Sequence, residues 1–422
     1  MEELLELVKF INESPTAFHC VDTVKLKLGK EGYTELPEAS SWELKPGKSY
    51  YTSRNSSSLI AFSIPEENSF SGFHVFSAHS DSPCFRIKEN PEMVFEGNLV
   101  RLNVERYGGM ILSSWLDRPL SIAGRVVFQD GERLKEKLIN IDRDLCVIPN
   151  VAPHMDPEIN SGKKYSAQND MLPLFGDFSS AGKFDDLIAQ EAGVPEEYIL
   201  GKDLFLYARE KGTFVGRDKE LLLSPRLDDQ ACVFAGLRGL TNSKASRYVK
   251  VLAVFDNEEV GSGTKQGADS SFLEDVLVRI CEAFSLSGSE YIRLISESFN
   301  ISADNAHAVH PAMPSKADPT SRPYINRGVV LKFSGNQKYT TDAYSAAYIR
   351  KLAKDAGIIL QNYSNNSDVA GGSTLGNIST SHVSMKTADI GLAQLAMHSS
   401  VETMGTKDYT DMVRLVEKYF EG

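Results

Sequence analysis

The run Val249-Lys250-Val251-Leu252-Ala253-Val254-Phe255 leads directly into Asp256-Asn257-Glu258-Glu259-Val260-Gly261-Ser262. A buried-strand pattern that empties into acids and a turn puts carboxylates at the carboxyl edge of a sheet, where open α/β folds bind ligands. Adjacent side chains on a turning backbone point in different directions. One glutamate can therefore hold a cation while its neighbour faces a water. An isolated acidic cluster is ordinarily a solvated turn, but this one has company.

His79-Ser80-Asp81 follows the apolar run Phe73-His74-Val75-Phe76-Ser77-Ala78. It sets an imidazole and a carboxylate two positions apart at a second strand end. A metal-bound histidine usually donates its other ring N–H to an acceptor that fixes its tautomer, and Asp81 is suitably placed for that. Arg226-Leu227-Asp228-Asp229 precedes Ala231, Phe234, Leu237 and Leu240, which share one helical face, so Asp228 stands at a loop-to-helix entry. Asp304 ends the short run Ile301-Ser302-Ala303, and His398 comes after the strand-like Ala388-Asp389-Ile390-Gly391-Leu392. Singly, these residues have ordinary readings: Asp228 as a helix cap, His398 as a core histidine, Asp304 as a turn residue. Together with Glu258 and Glu259 they form a pool of imidazoles and carboxylates from separate strand ends.

The 422 residues exceed what one core usually organises, which points to two domains or to one domain carrying an insertion. Candidate ligands at 79–81 are followed by none of similar quality until 228. The intervening segment has its own character, with strand-like Leu99-Val100-Arg101-Leu102-Asn103-Val104 and Gly124-Arg125-Val126-Val127-Phe128 and a turn at Tyr107-Gly108-Gly109. On either side, strands alternate with amphipathic helices, marked by Phe272, Val276, Ile280 and Phe284 and by Tyr409, Met412, Val413, Val416 and Phe420. The expected architecture is α/β: residues 1–90 and 216–422 build a mixed or parallel central sheet flanked by helices, interrupted by a β-rich insertion over 91–215.

A net charge of −12 argues against a nucleic-acid partner. No apolar run is long enough to span a bilayer, and the start Met1-Glu2-Glu3 is acidic where a signal peptide would be basic, so no membrane partner and a cytoplasmic location are expected. The five cysteines are scattered and form no Cys-x-x-Cys pair. They are expected to be reduced packing residues.

Imidazole nitrogen and carboxylate oxygen suit zinc, and a catalytic site leaves a position open for water. Paired divalent ions would stabilise both attacking and leaving oxygens, while a glutamate outside the ligand set moves the proton to the leaving amine. Gly-x-Ser-x-Gly and His-Glu-x-x-His are absent from the sequence. Gly261-Ser262-Gly263-Thr264-Lys265-Gln266-Gly267 has the wrong final spacing for a dinucleotide loop and reads as a turn into a helix.

The chain resembles the aspartyl aminopeptidases, di-zinc exopeptidases in which a dimerisation domain is inserted into a catalytic α/β domain. The resemblance runs through Ser77-Ala78-His79-Ser80-Asp81-Ser82-Pro83, Trp115-Leu116-Asp117-Arg118-Pro119-Leu120, Arg226-Leu227-Asp228, Asp256 to Ser262, Ser302-Ala303-Asp304-Asn305-Ala306-His307, Gly371-Gly372-Ser373-Thr374-Leu375-Gly376 and Gln394-Leu395-Ala396-Met397-His398-Ser399. It implies two divalent ions per subunit, zinc first with manganese or cobalt as alternatives. His79 and Asp304 would hold one ion, Glu259 and His398 the other, with Asp228 bridging. Glu258 would be the general base, with Asp81 orienting His79. The resemblance also implies peptide substrates, with Lys332, Lys338 and Gly372 facing the substrate. It implies a homo-oligomer in which dimers assemble into a tetrahedral dodecamer, and a histidine, here His154, reaching the partner's active site. Members specific for Asp or Glu carry a lysine where this chain has Asn336, so leucine-type or broad specificity stays open beside acidic preference. A di-zinc deacylase or carboxypeptidase is the rival enzyme class, to be betrayed by an arginine clamp for a free carboxylate.

Overall fold

A computed structural model describes residues 1–67, 69–369 and 371–422. The chain forms two compact units, one of Met1–Asp81, Gly212–Met397 and Glu402–Gly422, the other of Ser82–Lys211 and His398–Val401.

The first unit is built on a nine-stranded sheet. Its strands are β1 (Thr34–Glu35), β2 (Ser49–Arg54), β3 (Ser58–Ser63), β4 (Phe73–His79), β13 (Val249–Phe255), β14 (Phe299–Ala303), β16 (Val329–Phe333), β17 (Leu360–Ser364) and β18 (Lys386–Gly391). Across the sheet they stand β1-β2-β3-β13-β4-β14-β18-β16-β17. The inner four, β13, β4, β14 and β18, are mutually parallel, while β3 and β16 run against them on either side. Both β4 and β13 are buried along their whole length, which is why they read as near-continuous apolar runs. Phe255 lies opposite His79, and Ser302 lies opposite both Ser77 and Asp389. That register brings the carboxyl ends of β13, β4 and β14 to one edge.

Alternation splits β13 between two cores. Leu252 and Val254 face a core shared with α1 (Glu2–Asn12), α2 (Ala17–Lys30), α5 (Leu227–Asn242), α8 (Ala343–Ala356) and α10 (Thr406–Glu421). Val251, Ala253 and Phe255 face the opposite core, with α6 (Phe272–Ala283), α7 (Gly288–Glu297) and α9 (Leu375–Ser379). The helical faces expected from spacing are the buried ones: Phe272, Val276 and Ile280 on α6, and Tyr409, Met412, Val413, Val416 and Phe420 on α10. A Cβ on Gly236 would stand 2.6 Å from Phe76 and 2.7 Å from Leu252, so glycine there is what lets α5 lie directly on the sheet. A five-stranded sheet completes the unit, ordered β11 (Thr213–Val215), β12 (Leu221–Ser224), β20 (Glu402–Gly405), β19 (Ala393–Leu395) and β15 (Ala306–His307).

The second unit carries an antiparallel six-stranded sheet ordered β8 (Arg133–Asn140), β7 (Leu120–Asp130), β10 (Ile199–Ala208), β5 (Cys84–Phe95), β6 (Leu99–Tyr107) and β9 (Leu174–Asp177). The short helix α3 (Ala167–Asp170) and the longer α4 (Phe184–Ala192) accompany it, around a core that includes Phe85, Trp115, Ile122 and Phe184. The boundary expected after residue 90 falls inside β5. That strand pairs with both β6 and β10, so it stays whole and the break moves back to Ser82, while the far break lies at Gly212 rather than 216. Among the described residues no helix is long and apolar enough to cross a membrane.

Candidate metal centre and active site

His79 is the last residue of β4 and is 1% exposed. Its Nδ1 faces Asp81, 3.1 Å from the backbone oxygen and 3.3 Å from Oδ1. Its Nε2 points toward Asp228 Oδ1 at 3.5 Å and Glu258 Oε2 at 4.0 Å. The His79 backbone N–H donates to Asp229 Oδ2 at 3.2 Å.

Asp81 does more than orient the ring. Its two carboxylate oxygens accept the backbone N–H groups of Glu258 and Glu259, each at 3.2 Å, so one side chain at the end of β4 clamps the turn at the end of β13. That turn, Glu258–Val260, is a single 3₁₀ turn set between left-handed residues, Asn257 at φ 61° and Gly261 at φ 98°. Asp228 opens α5 with non-helical backbone, and its N–H donates to Glu402 Oε2 at 2.9 Å. Asp304 follows β14, and its N–H donates to Ile390 O at 3.0 Å.

Within the first unit two groups of ligating atoms result. His79, Asp228, Asp229 and Asp304 each bring one such atom within 4.8 Å of the others, and so do His79, Glu258 and Glu259. Burial first, then mutual repulsion, drives the acids up: Glu258 is pushed to about 8 and Glu259 and Asp229 well above the carboxylate range. Burial works against protonated His79, yet its hydrogen bonds to Asp228 and Asp81 and the fields of Asp229 and Glu258 outweigh it and raise the ring's pKa. A divalent cation fits this donor set. It would answer the crowded negative charge with imidazole and carboxylate ligands, the types found in catalytic zinc sites.

Lys332 on β16 has a different place from the one its sequence suggests. It is 2% exposed, and its ammonium donates to Asp304 O at 2.9 Å, Asn305 O at 3.0 Å and Asp304 Oδ2 at 3.3 Å. All three protons are committed, so the side chain braces Asp304 and has none left to offer a substrate. Lys338 and Gly372 are exposed, on segments outside helix and strand. In the second unit, His154 is exposed in a loop after Pro153, and the Nδ1 of His398 meets Gly109 O at 2.6 Å.

Asp229, Glu402 and Asn305 are the residues that sequence reasoning missed. Asp229 could have been suspected from its place beside Asp228. Nothing local marks Glu402, 174 positions from the N–H that it accepts. Asn305 ties this part of the site together, donating to Leu227 O at 2.9 Å and to Gln394 Oε1 at 3.0 Å.

Comparison with known proteins accords with this geometry. A family described as Aminopeptidase I zinc metalloprotease (M18) matches residues 10–420. The chain is 46% identical to a Clostridium acetobutylicum protein named probable M18 family aminopeptidase 2, over all of this chain and 98% of the relative. A Pseudomonas aeruginosa protein of the same name is 37% identical, over 98% of this chain and 97% of its own length. Among solved structures, one titled as the complex of Ape4 and Nbr1 superposes with a TM-score of 0.95 at 34% identity, covering 99% of this chain and 85% of the other. A Saccharomyces cerevisiae mApe1 dodecamer superposes at 0.86 with 28% identity, covering 99% and 95%. A site of this composition, set in a chain matched from end to end, has one reading: the protein belongs to the M18 family of zinc aminopeptidases.

Proposed function

We propose that the chain releases N-terminal residues from peptides with two divalent cations, zinc by preference and manganese or cobalt as substitutes. The observation that carries this is the convergence of His79, Asp228, Asp304, Glu258 and Glu259 at the carboxyl edge of adjacent strands, with no more than 4.8 Å between ligating atoms within each group. In this reading His79 and Asp304 would hold one ion and Glu259 and His398 the other, with Asp228 contributing to both. When bound, such a pair polarises the scissile carbonyl and acidifies a water.

Glu258 keeps its carboxylate for proton transfer, taking a proton from the attacking water and delivering it to the leaving amine. Asp81 keeps the turn that bears Glu258 and Glu259 in register with His79, and Lys332 keeps Asp304 in place.

The N-terminal side chain would meet the segments bearing Lys338 and Gly372. With Lys332 engaged by Asp304 and Asn336 standing where acid-specific relatives have lysine, acidic preference rests on Lys338 alone. Leucine-type or broad specificity is the second reading, favoured by the committed ammonium of Lys332. The dodecameric structure of the yeast relative supports assembly of this chain into a homo-oligomer. In this reading His154 would contribute to the partner's site. The test is release of free amino acid from a peptide panel before and after chelation. Blocked N-termini should be refused, and turnover by the fully stripped protein would sink the proposal.

A further inference from the structure

Asp389 is fully buried in the middle of β18, yet the mechanism does not use it. On that strand Ala388 and Ile390 face the core beneath α5, α8 and α10, so alternation turns Asp389 to the opposite face, toward α9. There, three threonines from two segments close on it. Thr340 donates both its backbone N–H and its hydroxyl to Oδ2, each at 2.6 Å. Thr374 donates its hydroxyl to Oδ1 at 2.6 Å. The N–H of Asp389 itself donates to Thr341 Oγ1 at 2.8 Å.

Thr374 makes this pattern informative. It occupies the N-cap position of α9, where a threonine hydroxyl ordinarily accepts an N–H from the first turn, and it makes no such bond. Its hydroxyl is turned to the carboxylate instead. Gly376, two residues on, packs so closely that a Cβ would stand 2.9 Å from Asp389 Oδ1. A buried carboxylate is costly to desolvate, and a hydrophobic residue would fill the space more cheaply. What only a carboxylate offers here is two strong acceptors that hold two separate segments at once.

Those segments are the ones that carry Lys338 and Gly372, each two residues before the threonine that Asp389 holds. Thr374 Oγ1 also lies 3.5 Å from Lys338 O, so the two segments touch at the anchor. Asp389 in turn pairs with Ser302 on β14, two residues before Asp304. One sheet ladder thus references both segments to the metal centre. We infer that Asp389 is a positioning residue for substrate recognition, locking the Ser334–Thr340 and Gly371–Thr374 segments together at a set distance from Asp304. The inference rests on the reading that Lys338 and Gly372 line the pocket for the N-terminal side chain.

The experiment measures kcat, KM and zinc content on aminoacyl anilides of Asp, Glu, Leu and Ala. Asp389→Ala should raise KM by up to about a hundred-fold, the scale on which a displaced positioning group acts, and flatten discrimination among side chains, with zinc content and kcat near wild type. Asp389→Asn retains an acceptor for Thr340 and should recover most of the KM. Thr374→Val, which removes one donor and keeps the shape, should reproduce part of the loss and serves if Asp389→Ala does not fold. Unchanged KM and selectivity in folded Asp389→Ala or Thr374→Val, while Lys338→Ala or Gly372→Ala shifts either, would overturn the anchor alone. If Lys338→Ala and Gly372→Ala also leave both unchanged, the pocket reading itself falls and the inference with it.

Discussion

Two regions of the first unit solve the same problem, holding polar groups still, in opposite ways. At the carboxyl edge of β13, β4 and β14 each group has its own anchor: Asp81 for His79 and for the Glu258–Glu259 turn, Glu402 for Asp228, Lys332 and Ile390 for Asp304. The segments around Lys338 and Gly372 are exposed, and the buried carboxylate they share is Asp389. On the proposed roles, chemistry is braced many times over at the sheet edge, while recognition hangs from few points. Damage should therefore be local and severe in the first region, and diffuse and graded in the second.

The largest effect should come from removing the cations. Stripping them should abolish turnover and lower thermal stability, because it leaves the buried acids facing one another, and zinc should restore both. Activity that survives with metal analysis at zero would break the comparison at its strongest point.

Glu258→Gln comes next, with a loss on the order of 10²–10⁴ in kcat and no loss of bound metal. Asp304→Ala should lose metal as well as activity. Metal loss confined to Glu258→Gln would mean that Glu258 and Glu259 have exchanged roles.

Lys332→Met discriminates between bracing and recognition. A residue that orients a ligand should weaken metal retention by roughly 10–100-fold when it is removed, read by competition with a chelator. Unchanged metal retention with altered preference for acidic N-termini would return Lys332 to the substrate pocket.

Mixing His154→Ala with Glu258→Gln subunits should recover part of the activity that each lacks alone, since one mixed site can pair intact residues from two chains. Mixed oligomers verified by mass but as slow as either parent would confine His154 to the surface.

A last effect, on stability and not on activity, lies away from both regions. His74 is buried between Tyr248 and Tyr419, with ring centroids at 3.9 and 4.6 Å, and burial lowers its pKa to about 4. Between that value and the unfolded value of about 6.5 the unfolded chain binds the extra proton, so stability falls as pH drops through this window. The His74 share is up to about 3 kcal/mol. His74→Phe should shrink the difference between urea midpoints at pH 7 and pH 4.5, and an undiminished difference would assign acid sensitivity elsewhere.

Strand-to-acid junctions are what make the metal centre legible in the amino-acid sequence. A buried parallel strand needs a continuous apolar run, and its end needs polar residues, so Ala78-His79-Ser80-Asp81 and Phe255-Asp256-Asn257-Glu258 announce both their geometry and their chemistry in a few adjacent residues. The β-rich character of the insertion is legible for the same reason, since period-two alternation is a local signal. What the sequence could not convey was the partner of each group. Lys332 looks like a cation aimed at substrate, because a lysine in a strand carries no mark of what lies beneath it. Only the close approach of β16 to Asp304 and Asn305 shows its protons already spent. The boundary expected within β5 shifts because ladder pairing with β6 and β10 decides where a unit ends. Glu402 and Asp389 leave no local trace either. Their roles arise from hydrogen bonds that span 15 to 174 residues, and such bonds have no direction or partner until the tertiary fold brings their two ends together.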